Sequence, residues 1–459
     1  MNENEIKTLI TNQRVYFESG ATLNVDKRLT NLRQLKTIIK QFEPEIIAAL
    51  KKDLNKSPTE SYMCEIGMVY SELDYMLKHT KQFAKKKHVR TPLAQAIAKS
   101  YVLPSPYGVT LILSPWNYPF MLSIDPLIDA LSAGNTAIIK PSAYAPHTSH
   151  IIKKIIETAF PKELVAVIEG GRAENTTLLA QNFDYIFFTG SKNVGKEVLR
   201  QAANHLTPVT LELGGKSPCI IDQSADLKIA AKRIVFGKFL NAGQTCVAPD
   251  YLVCHKEKVA ELLELLKQEI AVHYGINPLV NPDLCNIINQ KHFDRLNNLL
   301  NESCIYVGGQ INSETLKIAP TIIYPCTKDA KVMQEEIFGP LLPIMTYEDL
   351  NEVVQEINQG ETPLALYIFA NNQKSIDYVL SHAHFGGASV NETIMHLATP
   401  HMGFGGLKES GMGAYHGKTG FDTFTHYKSV IAKKTWFDLP LRYQPYTKLK
   451  EQIIKFFMH

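Results

Sequence analysis

One thiol in this chain is placed to react. In Asn241-Ala-Gly-Gln-Thr-Cys246-Val-Ala-Pro the cysteine stands between Gly243 and Pro249, at a break between elements, where a side chain can meet a substrate instead of filling a core. A cysteine on its own reads as a small buried hydrophobe. Cys219 in SPCIID and Cys254 in YLVCHK, both within strand-like apolar runs, fit that reading. Cys246 is singled out by its company. Glu212 closes the apolar run 209–213 and precedes two glycines; desolvation at such a strand end raises a carboxyl toward the range of a general base. A carboxylate capping a loop would show the same local sequence. Asn117, in SPWNYP, is an amide set between Pro115 and Pro119. It donates hydrogen bonds without titrating, as an oxyanion-stabilising group must, and the same spacing also suits a turn asparagine.

A second set of residues could hold a nucleotide. FFTGSKNVGKE, with Gly190, Ser191 and Gly195, follows a strand-like run and opens a helix, so its amides and the helix dipole could receive an anion. The stretch has GxxxxGK spacing, but Glu197 stands where a P-loop needs Ser or Thr for Mg²⁺, and the GxGxxG spacing is absent. Lys140 ends the run TAIIK and is held by Pro141 at the sheet's carboxyl edge, where an amine can meet a ribose or a phosphate. Glu336 and Phe338, in EEIFGP, offer a carboxylate for ribose hydroxyls and a face for a flat ring. Surface charge and core phenylalanine are the ordinary alternatives.

These residues need elements to position them. Residues 1–85 alternate Lys/Glu with Leu/Ile at helical spacing. From about Tyr107, apolar runs at 109–114, 136–140, 165–169 and 185–189 alternate with amphipathic stretches at 122–133, 149–160 and 194–203. That alternation predicts an α/β, doubly wound parallel sheet, which binds ligands outside the carboxyl ends of its strands. A further α/β stretch runs from about Val209 to Gly420, with a helix at 258–271 and strands at 250–255 and 320–324. The last segment holds a strand at 427–432 and an aromatic, basic tail.

Composition bounds the rest. A chain of 459 residues predicts two or three domains. Forty-eight basic and 45 acidic side chains leave a net charge of +3, which gives no electrostatic reason to expect nucleic acid or a membrane surface as partner. The N-terminus carries acids where a signal peptide is basic, and no run of about 18 apolar residues predicts a membrane span. Seven scattered cysteines without CxxC spacing read as reduced thiols in the cytoplasm.

Taken in order, SPWNYP, TAIIKPS, FFTGSKNVGK, LELGGKSP, NAGQTCVAPD, EEIFGP and FGGLKESGMG strongly resemble the aldehyde dehydrogenase superfamily, over roughly residues 100–430. NAGQTCVAPDY, ELGGKSPCIID, GMGAYHGKTGFDTF and the tail LRYQPYT look like class 3 members, which are short and dimeric. The resemblance implies a Rossmann-like dinucleotide domain at 1–86 and 107–211. It implies a catalytic domain at 212–420 and a small β bridging or oligomerisation segment at 87–106 and 421–459. It also implies roles. Cys246 would attack the aldehyde; Asn117 and the Cys246 N–H would hold the oxyanion; Glu212 would activate water against the thioester. NAD or NADP would take the hydride, with Lys140 and Glu336 on its riboses, Ser191 on its pyrophosphate and Phe338 near the nicotinamide. Trp116, Gly190 and Gly195 complete the cofactor-binding set.

Two positions depart from the family pattern. Ala143 stands where members often carry a glutamate that disfavours a 2′-phosphate, so NADP is expected to be tolerated. Met402 replaces a usual proline before GFGG, which puts the local loop conformation in question. Among rival readings, a reductase of acyl phosphates would lack Glu212. A cysteine hydrolase would need a histidine base that no sequence feature nominates, and a structural relative would have lost catalytic positions. His382 and His384, or His396 and His401, lack the partners of a metal site. The resemblance implies a homodimer, with the tail IIKFFMH packing across it, and medium- to long-chain aliphatic or aromatic aldehydes as substrates.

Overall fold

The helical opening forms as its periodicity predicts, as Glu3–Glu18, Val25–Leu54 and Gly67–Phe83. Val25–Leu54 starts on Asn24, whose side chain accepts from the N–H groups of Asp26 and Lys27, and buries Leu29, Leu32, Leu35, Ile39, Phe42 and Ile46 along one stripe. Two short helical turns, Pro58–Ser61 and Tyr62–Ile66, connect it to the next helix. The computed structural model describes every residue except Leu93, Ala94, Ala96 and His459. These four fall within the expected bridging segments and lie outside the described residues.

A six-stranded sheet follows. Its spatial order is Gly411–Met412, Val209–Glu212, Tyr185–Thr189, Val109–Leu113, Thr136–Lys140 and Val165–Val167. The last five are parallel, and their order reverses direction beside Val109–Leu113, as in a doubly wound Rossmann-like sheet. Helix Met121–Ala133 is buried along its whole length, which an all-apolar sheet face beneath it requires.

A seven-stranded sheet carries Pro218–Ile221, Tyr251–His255, Leu341–Tyr347 and Ala365–Phe369 at its centre, all parallel. The chain that builds this sheet does not stay on it. Gly411–Met412 returns to the first sheet, antiparallel to the strand that ends in Glu212. Lys87–Val89, Ala98–Pro106 and Thr425–Lys433 form a separate three-stranded antiparallel sheet, within the segments expected to bridge. Among the described residues no helix is long and apolar enough to cross a membrane, and no group of three His, Cys, Asp or Glu side chains could hold a metal ion. All seven cysteines are free.

Candidate active site

The crevice sits where the first sheet's strand order reverses. The loop leaving Val109–Leu113 carries Trp116 and Asn117, the loop leaving Tyr185–Thr189 carries Gly190 and Ser191, and Glu212 ends the neighbouring strand. Together with Cys246, Glu336 and Phe338 they line one cavity of about 510 Å³. Lys140 and Gly195 lie off its wall. Lys140 ends its strand buried, its Nζ donating to the Pro141 carbonyl at 2.7 Å, and burial pushes its amine down to about 8. Gly195 sits in the first turn of helix Lys192–Ala202. A Cβ there would stand 2.8 Å from Leu213 Cδ2, so this glycine lets the helix close on the sheet.

The loop that carries Cys246 is an unusual piece of backbone. After helix Leu227–Phe239 the chain passes through Asn241, Ala242 and Gly243 at φ of 51°, 52° and 73°, a left-handed run that costs strain at the two non-glycine positions. The surroundings hold it there. The Asn241 N–H donates to Glu60 at 2.9 Å, the Gln244 side-chain amide donates to the Asn241 and Asn286 carbonyls, and Ile288 N–H donates back to Gln244. Burial, with the Glu336 and Glu212 carboxyls nearby, pushes the Cys246 thiol up to about 12. Cys246 also borders a second cavity of about 140 Å³, lined by Met63, Tyr118, Met121, Phe236, Ile394 and Phe404 among others. The thiol therefore stands on the wall between a polar cleft and an apolar pocket.

The loop that begins at Met402 contributes to that pocket. Met402 is exposed, and Phe404 exchanges both backbone hydrogen bonds with Tyr415 at 2.9 Å, which fixes Phe404 on the pocket wall without a proline before it.

Glu212 is buried, and neither of its carboxylate oxygens has a hydrogen-bond partner. Burial raises it well above the carboxylate range. Glu336 is also raised, to about 8, by burial and then by Asp250; its Oε1 has no partner. Its segment is braced by residues the sequence reading left unassigned. Lys216 pairs with Asp250 at 2.5 Å and donates to the Val332 and Glu335 carbonyls; Asp250 accepts from Ile337 N–H; Arg295 donates to Glu335. Lys216 and Asp250 lie within LELGGKSP and NAGQTCVAPD, so the motifs contained them without revealing that they meet. His292 joins the cleft wall, 5.2 Å ring to ring from Trp116, with burial pushing it down to about 4. Trp116 meets Phe338 edge to face at 5.3 Å.

A charged group beneath the site was also missed. Lys56 and Glu65 form an ion pair at 2.5 Å with neither side chain exposed to solvent. Only the break DLNKSPTES marks this segment in the sequence, and nothing in it says which loops the charges reach.

The cleft suits a dinucleotide. An unpartnered carboxylate oxygen on Glu336 awaits a hydroxyl, the Gly190–Ser191 turn opens a helix toward the same space, and Trp116 and Phe338 offer ring faces. Comparison with known proteins agrees. The model described as "Aldehyde dehydrogenase family" matches residues 1–430. The chain is 44% identical over 456 residues to "4,4'-diaponeurosporen-aldehyde dehydrogenase" of Staphylococcus aureus, covering 99% of each. It is 42% identical to mouse "Aldehyde dehydrogenase family 3 member A2", covering 97% of this chain and 92% of that one. The solved substrate-bound state of Staphylococcus aureus AldH superposes with a TM-score of 0.97 at 44% identity, covering 99% of each chain. An indole-3-acetaldehyde dehydrogenase complexed with NAD⁺ matches with a TM-score of 0.87 at 25% identity, over 94% of this chain and 90% of that one.

Proposed function

The chain belongs to the aldehyde dehydrogenase family, it oxidises aldehydes to carboxylic acids, and on that premise we propose that Cys246, Asn117 and Glu212 carry the reaction. The observation that carries the reading is the place of Cys246 on the common wall of the polar cleft and the apolar pocket. An aldehyde whose chain fills the apolar pocket presents its carbonyl to Sγ. The thiol gives its proton to water in the cleft; as the C–S bond forms, the carbonyl oxygen takes negative charge, held by Asn117 Nδ2 and the Cys246 N–H. A nicotinamide cofactor held in the cleft by Glu336, Phe338, Trp116 and Ser191 would supply the hydride acceptor that turns the adduct into a thioester. Glu212 then takes a proton from water as the water attacks the thioester carbonyl. The C–S bond breaks, the acid leaves, and Glu212 passes its proton to the departing sulfur, which restores both the thiol and the base. An aldehyde panel run beside Cys246→Ala and Glu212→Gln tests this: the first variant is expected to show no dehydrogenase turnover, and sustained turnover by it would overturn the assignment.

The apolar lining points to aldehydes with medium- to long-chain aliphatic or aromatic tails, a reading supported by the relative named for 4,4'-diaponeurosporen-aldehyde. We assign the dinucleotide to the six-stranded sheet, with Glu336, Phe338, Trp116, Ser191 and Gly190 on the cleft wall and Lys140 and Gly195 behind it. The nucleophile belongs with the seven-stranded sheet. Ala143 is exposed beyond Lys140 and offers no carboxylate against a 2′-phosphate, so NADP should serve as well as NAD; a large NAD preference in steady-state kinetics would refute this. A homodimer in the cytoplasm is the state we propose, with the bridging sheet at the interface; Ile431 and Tyr427, exposed on that sheet, support it, and sedimentation tests it.

A further inference from the structure

We infer that Lys56, Glu65 and Glu60, none of which lines either cavity, are the positioning residues that hold the oxyanion donor against the nucleophile loop. This rests on Asn117 acting on the oxyanion as proposed above.

The geometry closes on itself. Lys56 Nζ donates to Glu65 at 2.5 Å and to the Asn117 carbonyl at 2.9 Å, and lies 4.1 Å from the centre of the Tyr118 ring. The other oxygen of Glu65 accepts from the N–H groups of Phe120 and Met121 at 2.8 and 3.1 Å. The ion pair thus grips the Asn117–Met121 turn from both ends. Glu60 grips the facing loop through the Asn241 N–H, at 2.9 Å. The two loops are then tied together. The Asn241 side-chain amide donates to the Asn117 carbonyl at 2.9 Å and to the Gln244 carbonyl at 3.2 Å. Asn117 Nδ2 donates to that same Gln244 carbonyl at 3.0 Å. An amide nitrogen carries two hydrogens. One is committed to Gln244, two residues before the nucleophile, and this fixes the direction of the other.

Stability alone does not call for these charges. Taking an ion pair out of water costs as much as the pair returns, and apolar residues of similar volume serve a core as well. What apolar residues cannot do is direct a carbonyl and two amides. A polar clamp can, and displacement of a catalytic group by about 1 Å can cost about a hundredfold in rate.

The test is a mutant cycle on kcat. Asn117→Ala is expected to lower it by about 10²- to 10³-fold. Lys56→Met/Glu65→Leu, which removes both charges, is expected to lower kcat by at least about tenfold with KM for the cofactor unchanged. If the pair acts through Asn117, the triple variant falls no further than Asn117→Ala alone, within about twofold. A folded double variant with undiminished kcat, or losses that multiply in the triple variant, overturns the proposal. Glu60→Leu, run through the same cycle, answers the question from the other loop should the double variant fail to fold. Should Asn117→Ala cost nothing, the oxyanion reading itself fails, and the cycle separates that outcome from failure of the clamp.

Discussion

Two glutamates in this protein are equally hidden from water and opposite in every other respect. Glu65 has an ammonium on one oxygen and two backbone N–H groups on the other. Glu212 has nothing on either. Burial raises both carboxyls, but at Glu65 the Lys56 ammonium and the amide donors oppose the rise, and at Glu212 no partner does. A buried charge whose bonding capacity is filled fixes geometry; a buried carboxyl with its capacity unfilled keeps its proton and is free to exchange it. Lack of partners is not sufficient. Asp125 and Asp129 also lack them, yet they lie on the wholly buried helix Met121–Ala133 and line neither cavity. Glu212 combines unfilled oxygens with a place on the cavity wall.

The comparison breaks most visibly at Glu212. Glu212→Gln keeps the shape and removes the base. Rapid mixing should show one burst of reduced cofactor near one equivalent per site, and steady turnover should then fall by about 10²- to 10⁴-fold. Thermal unfolding should not be lowered, because no hydrogen bond to Glu212 is lost. A drop in melting temperature without a burst would mean that Glu212 is structural.

Glu65 should behave in the reverse way. Glu65→Ala leaves the Lys56 ammonium buried and unpaired, which is expected to cost about 3–5 kcal/mol of stability in urea unfolding. Lys56→Met/Glu65→Leu should cost much less. Equal losses in the two variants would show that packing at this point, not charge pairing, carries the stability.

The sequence disclosed these two residues unequally. Glu212 was legible because chemistry is local: an acid at the end of an apolar strand, before two glycines, conflicts with its surroundings and asks for a reason. The same holds for Asn117 and Cys246. The sheet that positions them was legible from strand–helix alternation, since a parallel sheet covered on both faces needs apolar strands. Lys56 and Glu65 were not, because Lys and Glu nine residues apart in a helical, charge-rich stretch look like any solvated surface. Their meaning lies in contacts with the Asn117 carbonyl, 61 residues away, and the Phe120 N–H, 55 residues away. Gly195 was ambiguous for the opposite reason. A glycine at a helix start suits a phosphate loop and a tight helix–sheet contact equally well, and the structure adds the second reason through the Leu213 side chain.

Charge state sharpens the contrast further. A carboxyl raised in the folded state binds its proton more tightly folded than unfolded. Its contribution to stability is therefore full below the unfolded value, about 4.3, and is lost as pH rises through the folded value. For Glu212 that window opens at about 4.3 and extends well above the carboxylate range. Wild type should lose stability relative to Glu212→Gln across it, by about 1.4 kcal/mol per pH unit at most. The kcat limb that rises with pH should vanish in the variant. Parallel stability curves for the two proteins would contradict the raised value.

Glu336 lies between the two cases and gives the smallest effect. One of its oxygens has no partner, burial holds it at about 8, and it faces the cleft but not the bond being broken. It should act on cofactor affinity alone. Gly214→Ala tests this without touching Glu336 directly. A Cβ at Gly214 would stand 2.3 Å from both Glu336 carboxylate oxygens, so the carboxylate must turn away. Losing one hydrogen bond to a hydroxyl should raise the cofactor KM about tenfold. Cys246 and Glu212 are not themselves replaced, so kcat should change less than KM. A fall in kcat with KM unchanged would place Glu336 with Glu212, among the groups that move protons, and unchanged values of both would remove it from the cofactor site.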